Sequence, residues 1–374
     1  MALVHFDLSP EQQELRTLAR GFLAATSPES RVREVMATAD GVDLPLWRRL
    51  ATEPGLVGLG VPEEYGGAGQ GLVEVGVVAE ELGRGLTCVP FLSTQAAATA
   101  LLQADDEPAR RRYLPDLVAG RLVATLAVTE PGGRWDRDAV ATRAEADGAG
   151  AGWRLTGTKA FVLDGHVADL LLVAAGTADG IGLFGVAADA GGLRREPLDT
   201  LDPTRRQATV HLDRAPATRL AVAGDAWPVV ARALDEAAAV LAAEQVGIAQ
   251  QALDLSVAYA KVREQFGRPI GSFQAVKHQL ADVLLEVESA RAAAWYALLA
   301  AAGDPGFAAT ASLAKAFCSD ACLLATQRMI QVHGGIGFTW EHPAHLYLKR
   351  ARSSAQLFGD PAHHRERLLR EVGV

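Results

Sequence analysis

The sequence predicts an α+β multidomain protein, with a helical N-terminal domain, a middle β-sandwich or barrel and a four-helix-bundle-like C-terminal domain. Three observations predict it. Helical patterning dominates residues 1–119, short apolar runs between Gly, Asp and Pro turns fill 120–224, and long heptad-spaced apolar series occupy 225–374. A length of 374 residues suits two or three domains. With 49% hydrophobic and 22% charged residues, the composition is that of a folded chain and excludes disorder.

The N-terminal helix is announced by Ser9-Pro10-Glu11-Gln12, a capping serine followed by proline at the first helical position. Leu15, Leu18, Ala19 and Phe22 follow at helical spacing. A second run, Leu72 to Leu86, comes after the glycine-rich loop Tyr65–Gly71. In the middle region strands are expected at Leu122–Val128, Ala139–Ala146, Trp153–Leu155, Lys159–Leu163, Leu170–Ala174, Ile181–Ala187 and Ala208–Leu212. In the C-terminal region Leu234, Leu241, Ile248, Leu255 and Val262 recur every seven residues, predicting one long helix with a single buried seam. Further helices are expected from Phe273 to Ala302 and from Ala308 to His333, the latter stopped by Gly334-Gly335.

Other features exclude function classes. Three cysteines (Cys88, Cys318, Cys322) cannot staple a secreted scaffold, and Cys318 and Cys322 read as small buried residues on one helix face. His342, His345, His363 and His364 lack the framework of a metal site, so no metal is expected. A net charge of −9 disfavours general nucleic-acid binding. Met1–Asp7 lacks signal-peptide features and the alanine-rich runs are interrupted by polar residues, so a cytoplasmic protein without a membrane span is expected. Residues 345–374 carry six Lys/Arg against three Asp/Glu. That basic end (Lys349, Arg350, Arg352, Arg365, Arg367, Arg370) reads as a solvated helix face, or as a contact for phosphate or a partner.

Five pieces in this order resemble the acyl-CoA dehydrogenase family of flavoproteins over essentially the whole chain. They are Val61-Pro62-Glu63-Glu64-Tyr65-Gly66-Gly67, Val128-Thr129-Glu130-Pro131-Gly132, Tyr259 through Ile270, Phe273 through His278, and Gln331 through Phe338. The resemblance implies FAD at a subunit interface of a homo- or heterotetramer, an acyl-CoA thioester as substrate and an electron-transfer flavoprotein as acceptor. In the family a carboxylate removes the α-proton while the β-hydrogen leaves as hydride to the flavin.

Carried onto this sequence, the resemblance implies that Arg263, Phe266 and Gln274 hold the adenosine diphosphate part of FAD from a neighbouring subunit. A guanidinium offers forked donors to pyrophosphate and a phenyl ring a stacking face; a solvated Arg and a core Phe are the plain alternative. Gln331, Gly334 and Gly335 match another FAD contact, or a helix C-cap, and both can hold together. Val128 and Thr129 match flavin contacts. The chain departs from the family where Trp135 replaces a serine and where Phe161-Val162-Leu163 replaces Trp-Ile-Thr.

Neither family base position holds a carboxylate: Phe358 occupies one, and Ala237, followed by Ala238, the other. Glu244 is the remaining candidate. It lies three residues after Leu241 and four before Ile248, so it projects onto the buried seam, where a carboxylate must be paired, protonated or facing a cavity. It reads as a base or as a structural glutamate bonded to a neighbouring helix or to Gln251. Asp360, before Pro361, reads as an N-cap rather than a base. The expected function is FAD-dependent α,β-dehydrogenation of an acyl-CoA. The alternatives are a companion subunit lending the ADP side of the FAD site, and other flavin chemistry.

Overall fold

In the computed structural model, which describes residues 8–148 and 152–373, α1 (Pro10–Thr26) starts at the serine that the sequence marks. The Ser9 hydroxyl accepts from the Gln12 amide and the Gln12 side chain accepts from Ser9 N–H, a complete capping box. Met1–Asp7, read above for signal features, lies outside the described residues. The helices α2 (Glu29–Met36), α3 (Leu44–Thr52), α4 (Leu72–Arg84), α5 (Phe91–Gln103) and α6 (Glu107–Val118) follow. α4 stops short of the predicted Leu86 because that residue takes a positive φ of 50°.

Contacts divide the chain into two units. The first holds the segments up to Arg33, Leu72–Thr87 and everything from Ala238; the second holds Glu34–Gly71 and Cys88–Ala237.

The second unit is built on β1 (Ala124–Ala127), β2 (Arg143–Ala146), β3 (Trp153–Leu163), β4 (Leu170–Thr177), β5 (Gly180–Ala187), β6 (Leu193–Pro197) and β7 (Gln207–Arg219). β4 pairs with β5, β5 with β7, β7 with β3, β3 with β2, and β2 again with β4, so the sheet closes into a barrel. Leu155, Leu171, Leu172 and Phe184 are fully buried in it. The predicted runs Trp153–Leu155 and Lys159–Leu163 are one strand with register shifts at Leu155/Gly157 and Lys159/Val162. The run from Ala139 shortens to β2 because the Glu130 carboxylate takes the Ala141 and Thr142 N–H groups. β6 escaped the sequence pattern because Leu-Arg-Arg-Glu-Pro is a charged edge strand.

The first unit is helical. It contains α1, α4, the part of α7 (Trp227–Val262) beyond Ala237, α8 (Gln274–Ala300), α9 (Phe307–His333), α10 (Ala344–Gln356) and α11 (Pro361–Glu371). The single seam expected for α7 is corrected: residues 237–249 are buried on every face, and Val262 at the helix end is 75% exposed. Alanine round the circumference lets neighbours approach from all sides, and a helix apolar all round is a core helix. The approach to α4 is closest at two glycines. A Cβ on Gly247 would lie 1.8 Å from the Glu80 carbonyl oxygen, and one on Gly83 2.2 Å from that of Glu244. α9 is long and apolar enough to span a membrane by composition, yet it packs against α8, α10 and α11 and buries Ser312, Lys315, Ser319 and Thr326. It is the core helix of the bundle.

Candidate functional site

In the second unit, β1 runs directly into Val128 and Thr129, 3% and 1% exposed. Their backbone is clamped by Lys159, a residue the sequence reading passed over. Its ammonium is wholly buried and donates to the Val128 carbonyl (2.9 Å) and to Glu130 Oε1 (2.8 Å). The same Glu130 oxygen accepts from Ala141 N (3.0 Å), Thr142 N (2.8 Å) and Thr142 Oγ1 (2.8 Å). Burial pushes the Lys159 pKa down to about 8 against the pull of Glu130. The Glu130 carboxyl stays below its ordinary value because, although burial acts the other way, Lys159 and Thr142 favour its charge. The two-residue period from buried Leu155 through β3 was the available signal for an inward Lys159.

These are the residues that the resemblance matches to flavin contacts, and they lie beside the segment that departs from the family at Phe161–Leu163. Thr129 Oγ1 is buried with no hydrogen-bond partner among the described residues, which fits a polar group supplied from outside. Phe161 is lifted out by the β3 bulge, with φ 55° and 40% exposure. Leu163, where the family hydroxyl would stand, is 6% exposed and contributes only a carbonyl, to the Thr125 hydroxyl at 2.7 Å.

In the first unit, the segment after α7 is a small hairpin, β8 (Glu264–Gln265) and β9 (Arg268–Pro269), with Phe266 and Gly267 at positive φ in its two-residue turn. Phe266 is 93% exposed, so the structure corrects the core alternative for that residue. A solvated phenyl ring in a left-handed conformation is unfavourable in an isolated chain and suits a stacking ligand or partner. Arg263 and Gln274 are exposed beside it.

Gln331 ends α9 on its exposed side, followed by the buried His333. Gly334 has φ 60° and ψ −136° and serves as the predicted C-cap, its N–H bonded to Ile330 O. A Cβ on either Gly334 or Gly335 would meet nothing within 4 Å. At Gly335, which has no positive φ, nothing among the described residues demands a glycine. Open backbone there fits close approach by a phosphate-bearing ligand.

Ala237 is 2% exposed and Phe358 7%. The turn bearing Phe358 keeps an elaborate support: Lys315, wholly buried, donates to Ala355 O (3.2 Å), Gly359 O (3.1 Å) and Ser319 Oγ (3.1 Å). Gln245 in turn donates to Ser319 (3.1 Å), and His364 Nε2 donates to Phe358 O (3.0 Å). Phe358 and Gly359 both have positive φ. This support surrounds a turn that carries no carboxylate at position 358. Asp360 is the N-cap of α11, accepting from His363 N at 2.8 Å.

Glu244 lies on the buried face, as expected, and its carboxylate is paired. Arg350 Nη1 donates to Glu244 Oε1 at 2.9 Å, with both side chains under a tenth exposed. That contact is to a neighbouring helix and not to Gln251. It corrects the reading of Arg350 as part of a solvated face: Arg350 is 3% exposed. A cavity of about 260 Å³ in the same unit is lined by Gln251 and Leu255, one heptad and more beyond Glu244. Cys318 and Cys322 are buried, and burial pushes the Cys318 thiol up to about 12, which makes it inert.

Comparison with known proteins agrees with this architecture. Family models for the N-terminal, middle and C-terminal domains of acyl-CoA dehydrogenase match residues 9–121, 125–214 and 224–373. The chain belongs to the acyl-CoA dehydrogenase family, a family of flavin-dependent oxidoreductases, and has its fold.

Among relatives, the acyl-CoA dehydrogenase IpdE2 of Mycobacterium tuberculosis is 38% identical, over 97% of this chain and 97% of its own. The protein of the same name from Mycolicibacterium smegmatis is 35% identical, over 98% of this chain and 100% of its own. Among solved structures, a variant of the Tcur3481-Tcur3483 steroid ACAD superposes with a TM-score of 0.88 at 37% identity, covering 97% of both chains. The ChsE4-ChsE5 complex of M. tuberculosis gives 0.91 at 30%, covering 99% of both.

Proposed function

We propose that this chain is the companion subunit of a heterotetrameric acyl-CoA dehydrogenase. It contributes the adenosine diphosphate side of an FAD site, through Arg263, Phe266, Gln274, Gln331, Gly334 and Gly335, to a same-family partner that carries the catalytic base. The observation that carries this reading is the fate of the carboxylates. Phe358 and Ala237 fill both family base positions, and the remaining candidate, Glu244, is engaged by Arg350 in a buried ion pair.

α-Proton abstraction needs a carboxylate within hydrogen-bond reach of substrate, free to take the proton. FAD, when bound, supplies hydride acceptance. This chain's residues bind and orient: the Arg263 guanidinium matches pyrophosphate and the Phe266 ring offers an apolar face. The two-protein organisation named for ChsE4-ChsE5 supports a hetero-assembly, and the steroid ACAD likeness makes a steroid-derived acyl-CoA the first substrate to try.

The test is spectroscopic. Expressed alone, the chain is expected to be colourless, and co-expressed with its partner to carry flavin that an acyl-CoA bleaches. In the assembled enzyme Glu244→Gln is expected to change turnover by less than about threefold, where loss of a true base costs roughly 10²–10⁴. Stoichiometric FAD in the chain alone, reduced by acyl-CoA and no longer reduced in that variant, would make Glu244 the base and overturn the companion role.

A further inference from the structure

The imidazole of His333 joins the two segments of the adenosine diphosphate half-site. His333 is 4% exposed and lies between two rings: Tyr259, with centroids 4.4 Å apart and planes at 29°, and His342, at 4.2 Å and 39°. Its Nδ1 donates to the Met329 carbonyl at 2.8 Å, which fixes both tautomer and ring orientation, since a carbonyl can only accept. His342 Nδ1 accepts from Ala344 N at 3.2 Å, so that ring is held as well. Burial lowers the pKa of both histidines, and neutral rings stack without mutual repulsion.

The neighbours of this stack matter more than the stack itself. Tyr259 lies in the last turn of α7, and its carbonyl accepts from Arg263 N at 2.9 Å. Gly271, past the hairpin, fits there only because it lacks a Cβ, which would lie 2.8 Å from the Ala260 carbonyl oxygen. On the other side, His333 directly precedes Gly334, and the loop folds back so closely that a Cβ on Gly337 would lie 3.2 Å from His333 Cβ. An unbroken series of contacts therefore runs from Arg263 through Tyr259 and His333 to Gly334.

We propose that His333 is a positioning residue of this half-site: by stacking on Tyr259 and His342 it sets the spacing between the Arg263–Phe266 turn and the Gln331–Gly335 loop. The proposal rests on the assignment of those two segments to FAD. The two segments are far apart in sequence, one an exposed two-residue turn and the other the end of α9 with a pair of glycines whose Cβ positions are open among the described residues. A dinucleotide that touches both at once loses affinity to any slack in their separation, because the slack must be frozen out on binding.

The experiment is a fluorescence titration of FAD into the flavin-stripped assembled protein, repeated with ADP, for wild type and for His333→Ala, His333→Phe, His342→Ala, Phe266→Ala and Arg263→Ala. His333→Ala is expected to weaken FAD and ADP about five- to tenfold, the equivalent of one lost aromatic contact. His333→Phe keeps a stacking ring and is expected to stay within about 1.5-fold of wild type. His342→Ala removes the outer ring without touching the helix core, and a loss of about threefold is expected. Wild-type affinity in His333→Ala or His342→Ala, or a His333→Phe as weak as His333→Ala, overturns the positioning role while an impaired Phe266→Ala leaves the half-site standing. Unimpaired binding in Phe266→Ala and Arg263→Ala overturns the half-site, and this inference with it.

Discussion

Replacing Arg350 by methionine is expected to destabilise the protein by about 3–5 kcal/mol, the usual cost of removing one partner of a buried ion pair. The guanidinium and the Glu244 carboxylate approach to 2.9 Å with both side chains under a tenth exposed, so water cannot take the place of the missing charge. The pair bonds α10 to the part of α7 that is buried on every face, and Glu244 further abuts Gly83 of α4. The double replacement Arg350→Met with Glu244→Met is expected to recover most of the loss, because two apolar side chains need no solvation. Denaturant titration of the two single variants and the double checks this. If Arg350→Met costs less than about 1 kcal/mol, the pair behaves as a surface pair and not as a fixture of the core. A Glu244 that stabilises the fold in this way is a poor candidate for moving a proton, so the stability cycle bears on the companion role independently of any assay.

Acid is expected to destabilise the protein through His364. Burial, and after it the nearby Lys315, lowers the pKa of His364 from 6.5 to about 3. The unfolded chain therefore takes up a proton between pH 6.5 and 3 that the folded chain refuses. Stability from this histidine is complete above pH 6.5 and is lost as pH falls toward 3. Between pH 7 and pH 5 the loss from this group amounts to about 2 kcal/mol. The side chain is 1% exposed, its Nε2 donates to Phe358 O, and its Nδ1 is buried without a partner among the described residues, so a second ring proton would meet no acceptor there. Urea denaturation at the two pH values should show a smaller drop for His364→Gln, which cannot titrate. An unchanged drop in that variant would assign the acid sensitivity elsewhere, His345 being the next candidate, since burial lowers its pKa to about 4.

What could be read from the residues, and what could not, follows a physical division. Helix starts were legible because capping is local: Ser9 with Gln12, and Asp360 with His363, each act within three residues. That Phe358 and Ala237, and no carboxylate, stand where the resemblance puts the base was legible because it is a matter of residue identity. The α7 seam was half legible, since the heptad marks where large side chains lie but not that alanine and glycine admit neighbours on the remaining faces. Lys159 was missed because a lysine inside a strand reads as solvated until its partner is known, and that partner, Glu130, lies 29 residues away. Strand β6 was missed because three of its five residues are charged: Arg194 and Glu196 are exposed, and Arg195 is half-buried, its Nη1 donating to Ala168 O at 2.8 Å.

The sequence by itself thus determined the α–β–α order, the family, and the absence of a carboxylate at either family base position, all consequences of local periodicity and residue type. Only the tertiary structure decided what the surviving charged residues do. Glu244 and Arg350 are 106 residues apart, and neither periodicity nor charge pattern brings two such side chains together. Burial made them partners, because a charge withdrawn from water is tolerable only beside its opposite.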